Sequence, residues 1–510
     1  GIIENYYDIK AALANKGHTF YSATDTEALV HLIEEHHKTE SFEDAFIHAL
    51  NDVVGTYGVV AISSKEPNKI MAARLGSPMI LGIVGEGEYI VASDVAAIMK
   101  HTREVIYLND GEVCMLTDTG YEIKDLKAQA VKYKIEQVDW DISQAQKQGY
   151  KHFMLKEIHE QSHTIMNALR GRLKQEEGLA HMRGFIEQAD RLKEAKRVII
   201  VAMGTALYAG QVGEYMIEEY AGIPVEVESA AEFRYRKPVI DATTVVIAIS
   251  QSGETADLIA AVREAKLKGA LVIGLVNVVG STIAREVDAG AYCHAGPEIG
   301  VASTKAFMAQ LTMLALVTLF LGRQRGMSVV MGQRIAKELL ELPEKVKTIF
   351  AQEQHIATLA KNYSAYHDFF FLGRKYNYPI AYEGALKLKE ISYLHAEGYG
   401  AGDLKHGPIA LIEENFPSII IAPQDSVYEK VVSNLQEVKA RSGRVLAITT
   451  EGDTRVSEIA DDVVYIPKTL EMLTPLLAIV PLQLFAYYIA DTLGRDIDQP
   501  RNLAKSVTVE

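Results

Sequence analysis

The sequence predicts an α/β protein with two doubly wound, parallel-sheet domains behind a strand-rich α+β region. Three observations predict this. From about residue 195, aliphatic runs of strand length alternate with stretches of helical periodicity. That alternation occurs twice at a steady offset. Residues 1 to about 135 show a different pattern, with short apolar runs separated by Gly, Pro and Glu turns.

The runs 58–62, 80–84 and 89–92 read as strands of the first region. Between about 145 and 195 charge rises and helical spacing appears, as expected of a linker with helices. Beyond it, the run from residue 197 resembles the run from 368. In the same way 245–250 resembles 419–423, and 271–275 resembles 444–448. The offset stays near 170 residues, which argues for a duplicated domain.

Composition narrows the function classes. A chain of 510 residues has room for about three domains, and 48% hydrophobic with 23% charged residues is ordinary for a soluble globular protein. A net charge of -15 without a basic run argues against a nucleic-acid partner. Two cysteines, Cys114 and Cys293, are too few for a disulfide framework and suit the reducing cytoplasm. The most apolar stretches, 307–321 and 472–490, contain Gln310, Pro475, Pro481 and Gln483 and read as buried helices, so no membrane is expected as a partner.

The most informative segment is the aliphatic run 245–249 followed by Ser250-Gln251-Ser252-Gly253-Glu254-Thr255 and then a helical pattern over 256–268. A buried strand that ends in a hydroxyl-rich, Gly-containing loop and opens a helix presents free N–H groups and the positive helix end to an anion. No G-x-x-x-x-G-K-[ST] pattern is present, so one phosphate on a small molecule fits better than a nucleotide triphosphate. The plainer alternative is a β–α turn with a Ser cap. The second copy reads Ala422-Pro423-Gln424-Asp425-Ser426 at the matching place, where a carboxylate would repel phosphate. One phosphate site per chain is therefore expected, in the first copy.

The second copy carries Glu383, Lys387 and Glu390 at i, i+4 and i+7, on one face of a helix. Such spacing fits a solvated ion-pair stripe and fits proton transfer beside a carbonyl equally well.

These segments, with Glu298-Ile299-Gly300-Val301-Ala302-Ser303-Thr304-Lys305-Ala306, Lys405-His406-Gly407-Pro408 and the tail 499–510, resemble the glutamine–fructose-6-phosphate aminotransferase (isomerizing) family over nearly the full length. The resemblance implies the C-terminal part of an Ntn-hydrolase-type class II glutamine amidotransferase domain over 1–142 and a helical linker over 143–191. It implies sugar-isomerase (SIS) domains over 192–330 and 355–498, and a tail over 499–510 that joins the isomerase site. It further implies fructose 6-phosphate and glutamine (or ammonia) as substrates, glucosamine 6-phosphate as product on the route to UDP-N-acetylglucosamine, no cofactor or metal, and a homodimer.

By that resemblance Gly204, Thr205, Ser250, Gln251, Ser252 and Thr255 hold the sugar phosphate, and Val301 and Ser303 line the sugar site. Lys505 resembles the imine-forming lysine, and Glu390 the base that moves a proton between C1 and C2. Glu383 and Lys387 resemble sugar-hydroxyl and enolamine contacts. His406 resembles the ring-opening residue that a partner subunit supplies. Gly1 and Asp25 resemble glutamine-site residues. The family's nucleophile is an N-terminal cysteine, whereas the sequence opens on Gly1-Ile2-Ile3-Glu4-Asn5. The expectation for the chain as written is an isomerase, or an ammonia-dependent enzyme, without glutamine hydrolysis. Met203 and Ala206 depart from the Cys–Gly–Thr–Ser form common at the phosphate turn, and loss of one hydroxyl there is expected to weaken phosphate binding by about 1 kcal/mol.

Two other readings carry less. His159-Glu160-Gln161-Ser162-His163 matches the H-E-x-x-H zinc-protease pattern without the extension that usually follows it. His31, His36 and His37 read as a polar helix face. A different class of function, a non-catalytic sugar-phosphate-binding regulator, would need the phosphate loop but not Lys387, Glu390 and Lys505.

Overall fold

The computed structural model describes residues 1–138 and 146–507; the boundary expected at 142/143 and residues 508–510 of the tail lie outside these. The N-terminal region stacks two antiparallel sheets. One runs, in spatial order, Ile2–Ile3, Gly55–Ser63, Glu66–Leu75, Glu112–Thr117 and Gly120–Asp125. The other runs Glu88–Ala92, Ile80–Gly85, Glu104–Tyr107 and Glu136–Gln137. Ala72, Leu81, Ile106, Cys114 and Leu116 fill the layer between them. Cys114 is thus a core residue, and burial pushes its thiol up to about 12. Three helices, Tyr6–Asn15, Asp25–His36 (α1) and Phe42–Asn51, cover the outer face of the first sheet through Leu13, Leu29, Ile33, Phe46 and Leu50.

The strands of the two parallel sheets are numbered β1 to β10. The first sheet holds β1 (Arg197–Ala202), β2 (Val225–Ser229), β3 (Thr244–Ser250), β4 (Leu271–Val276) and β5 (Ala289–Tyr292), in the order β2-β1-β3-β4-β5. The second holds β6 (Asp368–Gly373), β7 (His395–Gly400), β8 (Ser418–Ala422), β9 (Val445–Thr450) and β10 (Asp462–Ile466), in the order β7-β6-β8-β9-β10. The orders are identical and every neighbouring pair is parallel, so the duplication read from the sequence is a duplication of topology. Both faces of these sheets carry helices, and β3, β4, β8 and β9 are therefore buried along their whole length.

Order 2-1-3-4-5 reverses direction between the first and third strands, and ligands bind outside the carboxyl ends of strands at such a switch point. In the first copy β1 runs into helix α2 (Gly204–Ala221), and β3 runs through the Ser-rich loop into α3 (Ala256–Leu267). Two long apolar helices, α4 (Lys305–Gln324) and α6 (Thr474–Thr492), would be long and apolar enough to cross a membrane, but they lie buried in the protein. Phe307, Leu311 and Leu314 of α4 and Leu476, Ile479 and Leu482 of α6 belong to one continuous core shared by the two copies. That core holds α5 (Tyr378–Ser392) of the second copy against the first.

Candidate active site

The phosphate-type loop is rigid for local reasons. The Ser250 hydroxyl accepts a hydrogen bond from the Gly253 N–H at 2.9 Å, and the Ser252 hydroxyl accepts from the Glu254 N–H at 3.2 Å. Gly253 has φ +69°, and a Cβ there would lie 2.0 Å from Ser281 Oγ, so only glycine fits. Thr255 precedes α3 without spending its hydroxyl on a cap. The Ala256 N–H at the start of α3 is met by the Val507 carbonyl at 3.3 Å, which lays the C-terminal tail across this loop. Across the switch point, Gly204 opens α2 at φ +52°, and Thr205 follows it. Ala206 is buried among apolar residues, and Met203 Sδ accepts the Ser229 hydroxyl at 3.3 Å.

In the second copy the matching loop is closed on itself. Asp425 accepts from the Val427 N–H at 3.0 Å, and burial pushes this carboxyl up to about 6. It stabilises its own turn and puts a carboxyl where the first copy has hydroxyls.

Helix α5 carries the titratable cluster. Glu383 and Lys387 are completely buried and Glu390 is half-buried, so the three residues are not a solvated stripe. Lys387 Nζ lies 2.5 Å from Glu390 Oε2 and 3.5 Å from Glu383 Oε1. It also donates to Thr205 Oγ1 at 3.0 Å, and the Thr205 hydroxyl donates to Glu383 Oε1 at 3.3 Å. The Gly204–Thr205 turn of one copy and helix α5 of the other therefore meet in one cluster. Burial alone would lower the lysine pKa; Glu383 and Glu390 reverse that and hold it above the ordinary lysine value. For Glu383 burial dominates over the pull of Lys387 and raises its carboxyl to about 8. Lys387 is thus an ammonium paired with Glu390, beside a neutral Glu383 whose Oε2 is buried and has no hydrogen-bond partner among the described residues.

Lys505 reaches the same region from the tail. Its Nζ is 2.6 Å from Glu298 Oε2 and donates to the Gly300 carbonyl at 2.7 Å. Glu298 is fully buried; burial would raise its pKa, but Lys505 and the Ala306 and Thr304 N–H groups lower it overall. The loop carrying Val301 and Ser303 is fixed by this carboxylate and by Glu157. Glu157 accepts from the Ile299 and Gly300 N–H groups at 2.6 Å and 3.3 Å. Burial and the neighbouring Glu298 push Glu157 well above the usual carboxylate range. The Val301 N–H donates to the Asp498 carbonyl at 3.0 Å, a second tie between loop and tail.

Sequence reasoning gave no role to Glu157, Glu298, Glu254 or Arg74. Arg74, 2% exposed on the strand Glu66–Leu75, reaches from the N-terminal region to Glu254 in the phosphate-type loop at 3.4 Å and to Asp110 at 3.0 Å. Glu254 in turn accepts from the Thr282 N–H and hydroxyl, each at 2.8 Å.

Three solved or curated relatives bear on this geometry. The SIS domain family matches residues 191–319 and 363–492, and the glutamine amidotransferase domain family matches residues 1–167. The glutamine–fructose-6-phosphate aminotransferase [isomerizing] of Chlorobaculum tepidum is 50% identical over 513 residues, covering 100% of this chain and 83% of the relative. This chain belongs to the glutamine–fructose-6-phosphate aminotransferase (isomerizing) family. The Thermus thermophilus member is 49% identical over 511 residues with the same coverage. The solved C-terminal domain of the glucosamine-fructose-6-phosphate aminotransferase from Francisella tularensis aligns with a TM-score of 0.66 at 38% identity, over 69% of this chain and 100% of that one.

For an aminotransferase of this family, three expected residues stand apart from the cluster. His406 is exposed on the turn Asp403–His406 and, among the described residues, makes no hydrogen bond or ion pair with it. Gly1 and Asp25 lie in the N-terminal region, where the Ile3 N–H donates to Asp25 Oδ2 at 2.8 Å and Gly1 abuts Thr56. The H-E-x-x-H residues are used structurally. His159 pairs with Glu353 at 3.0 Å and stacks on Phe350, and Glu160 accepts from Lys305 at 2.7 Å.

Proposed function

We propose that the chain forms glucosamine 6-phosphate from fructose 6-phosphate, taking nitrogen from glutamine or ammonia. The observation that carries this is the buried Glu383–Lys387–Glu390 cluster bonded to Thr205 of the phosphate turn. A binding regulator has no use for a buried ammonium between two carboxyl groups at that place, since burying an ion costs several kcal/mol.

In this reading Gly204, Thr205, Ser250, Gln251, Ser252 and Thr255 take the phosphate, with Val301 and Ser303 along the sugar. The Lys505 amine, once deprotonated, adds to the C2 carbonyl of the open-chain ketose; water leaves and an imine forms. Ammonia then displaces the lysine from that carbon. Glu390 removes a C1 proton and returns it to C2 while the C1 hydroxyl proton is lost and the nitrogen gains one, so the double bond moves from C2–N to C1–O and a 2-amino aldose results. Lys387 stabilises the electron-rich enolamine, and Glu383 meets a sugar hydroxyl through its unpartnered oxygen. Gly1 and Asp25 take glutamine. His406 opens the sugar ring; its exposure on the turn Asp403–His406 is compatible with donation to the site of a second copy, and hence with a homodimer. Two free, buried cysteines fit work in the cytoplasm. The division proposed is 1–142 for the amidotransferase region, 143–191 for the linker, 192–330 and 355–498 for the sugar-isomerase domains, and 499–510 for the tail.

The test is an assay of the chain with fructose 6-phosphate, with ammonium in one arm and glutamine in the other. Glucosamine 6-phosphate in either arm supports the reading. No product in both arms, with phosphosugar binding retained, would favour a sugar-phosphate-binding regulator.

A further inference from the structure

We propose that His18, His31 and Glu34 form a zinc-class metal site on the N-terminal region. His18 lies between the helix Tyr6–Asn15 and α1, and His31 and Glu34 are on α1 itself. His18 Nδ1 and His31 Nδ1 face each other at 3.1 Å. Glu34 Oε2 lies 3.0 Å from the His31 nitrogen and 3.4 Å from the His18 nitrogen. Three donor atoms form a triangle, and its edges match the spacing of ligand atoms around tetrahedral zinc, about 3.3 Å for metal–nitrogen bonds near 2.05 Å.

The outer nitrogens explain why these lone pairs converge. His18 Nε2 is 2.8 Å from Glu35 Oε2, and His31 Nε2 is 3.9 Å from Glu27 Oε1. The carboxylate behind His18 is at hydrogen-bond distance and would hold the proton on its Nε2 and direct its Nδ1 lone pair inward, the outer-shell arrangement metal-bound histidines use, while Glu27 stands behind His31 beyond hydrogen-bond reach. Two imidazole lone pairs and a carboxylate oxygen repel one another unless a cation or proton lies between them. The site is also packed. The His18 side chain is 7% exposed and His31 18%, with Phe20 edge-on to His31, while Glu34 is 59% exposed and leaves a fourth position toward water. Two imidazoles with one carboxylate select zinc or cobalt over magnesium or calcium. The metal would tie the segment before α1 to the helix whose first residue, Asp25, holds the Ile3 N–H. The neighbouring group His36, Glu40 and His48 is looser, with His36 Nδ1 3.8 Å from Glu40 and His36 Nε2 paired to Asp52.

Chelator-treated full chain titrated with Co²⁺, followed by Zn²⁺ competition, tests the site. One equivalent with the visible absorption of tetrahedral cobalt is expected, displaced by Zn²⁺ and not by Mg²⁺. His18→Ala and His31→Ala should each weaken binding by about 100-fold, and Glu34→Gln, at an exposed side chain that the fold tolerates, by about 10-fold. His48→Ala should leave it unchanged. No absorption at one equivalent in the parent chain, or binding that survives Glu34→Gln and His31→Ala undiminished, would overturn the proposal.

Discussion

Lys387 donates to the Thr205 hydroxyl at 3.0 Å, joining α5 of the second copy to the Gly204–Thr205 turn of the first. The two copies share a topology but not a task. The first carries hydroxyls at its switch point, and the second has Asp425 there and contributes α5.

Thr205 is accordingly both a phosphate-turn residue and a spacer for the ammonium. Thr205→Val should lower kcat/KM for fructose 6-phosphate by about 10- to 100-fold, the worth of a hydrogen bond to a charged group. Steady-state kinetics measure this, and the loss should appear in kcat as well as KM.

Glu390→Gln should remove the proton carrier and leave the phosphate site intact. Turnover is expected to fall by about 100- to 10,000-fold. Exchange of the fructose 6-phosphate C1 proton with solvent deuterium, followed by NMR, should fall equally, with phosphosugar affinity within a few-fold of the parent.

The raised Glu383 carboxyl sets a pH dependence of stability. The unfolded chain loses this proton near the ordinary value of 4.5, while the folded chain holds it to about 8. The folded state binds the extra proton, so this group costs stability progressively from about pH 5 to about pH 8, with no further change above. Glu383→Gln removes that cost. The melting temperature of the variant relative to the parent should rise across this window and then level off; a constant difference would mean that Glu383 ionises normally.

Arg74 couples the N-terminal region to the loop at Glu254. Arg74→Ala leaves a buried carboxylate without its cation, a change that typically costs about 3 to 5 kcal/mol. Lower thermal stability and weaker fructose 6-phosphate binding, measured calorimetrically, are expected together. Arg74→Lys should restore part of each.

Local physics wrote much of this into the sequence. The aliphatic run of β3 and the loop Ser250 to Thr255 are legible because strand, turn and helix start are short-range properties. The steady offset revealed the duplication, and it is seen in the identical strand orders. The placement of Lys387 at an interface was not legible, because i, i+4 spacing is the same on a wet face and a buried one. Arg74 and Glu254 lie 180 positions apart, and Glu157 and Ile299 lie 142 apart, so no local pattern announces either contact. Histidine and acid types at His159 and Glu160 suggested a metal helix; their partners Glu353 and Lys305 come from distant segments.

The central claim is that Lys505, held by Glu298 at the edge of the shared site, forms an imine with the ketose. Borohydride reduction of the chain in the presence of fructose 6-phosphate, followed by peptide mass spectrometry, tests it directly. The account predicts one reduced hexose-phosphate adduct on Lys505, absent in Lys505→Ala. An active chain that traps no adduct, or traps it on another lysine, would contradict it.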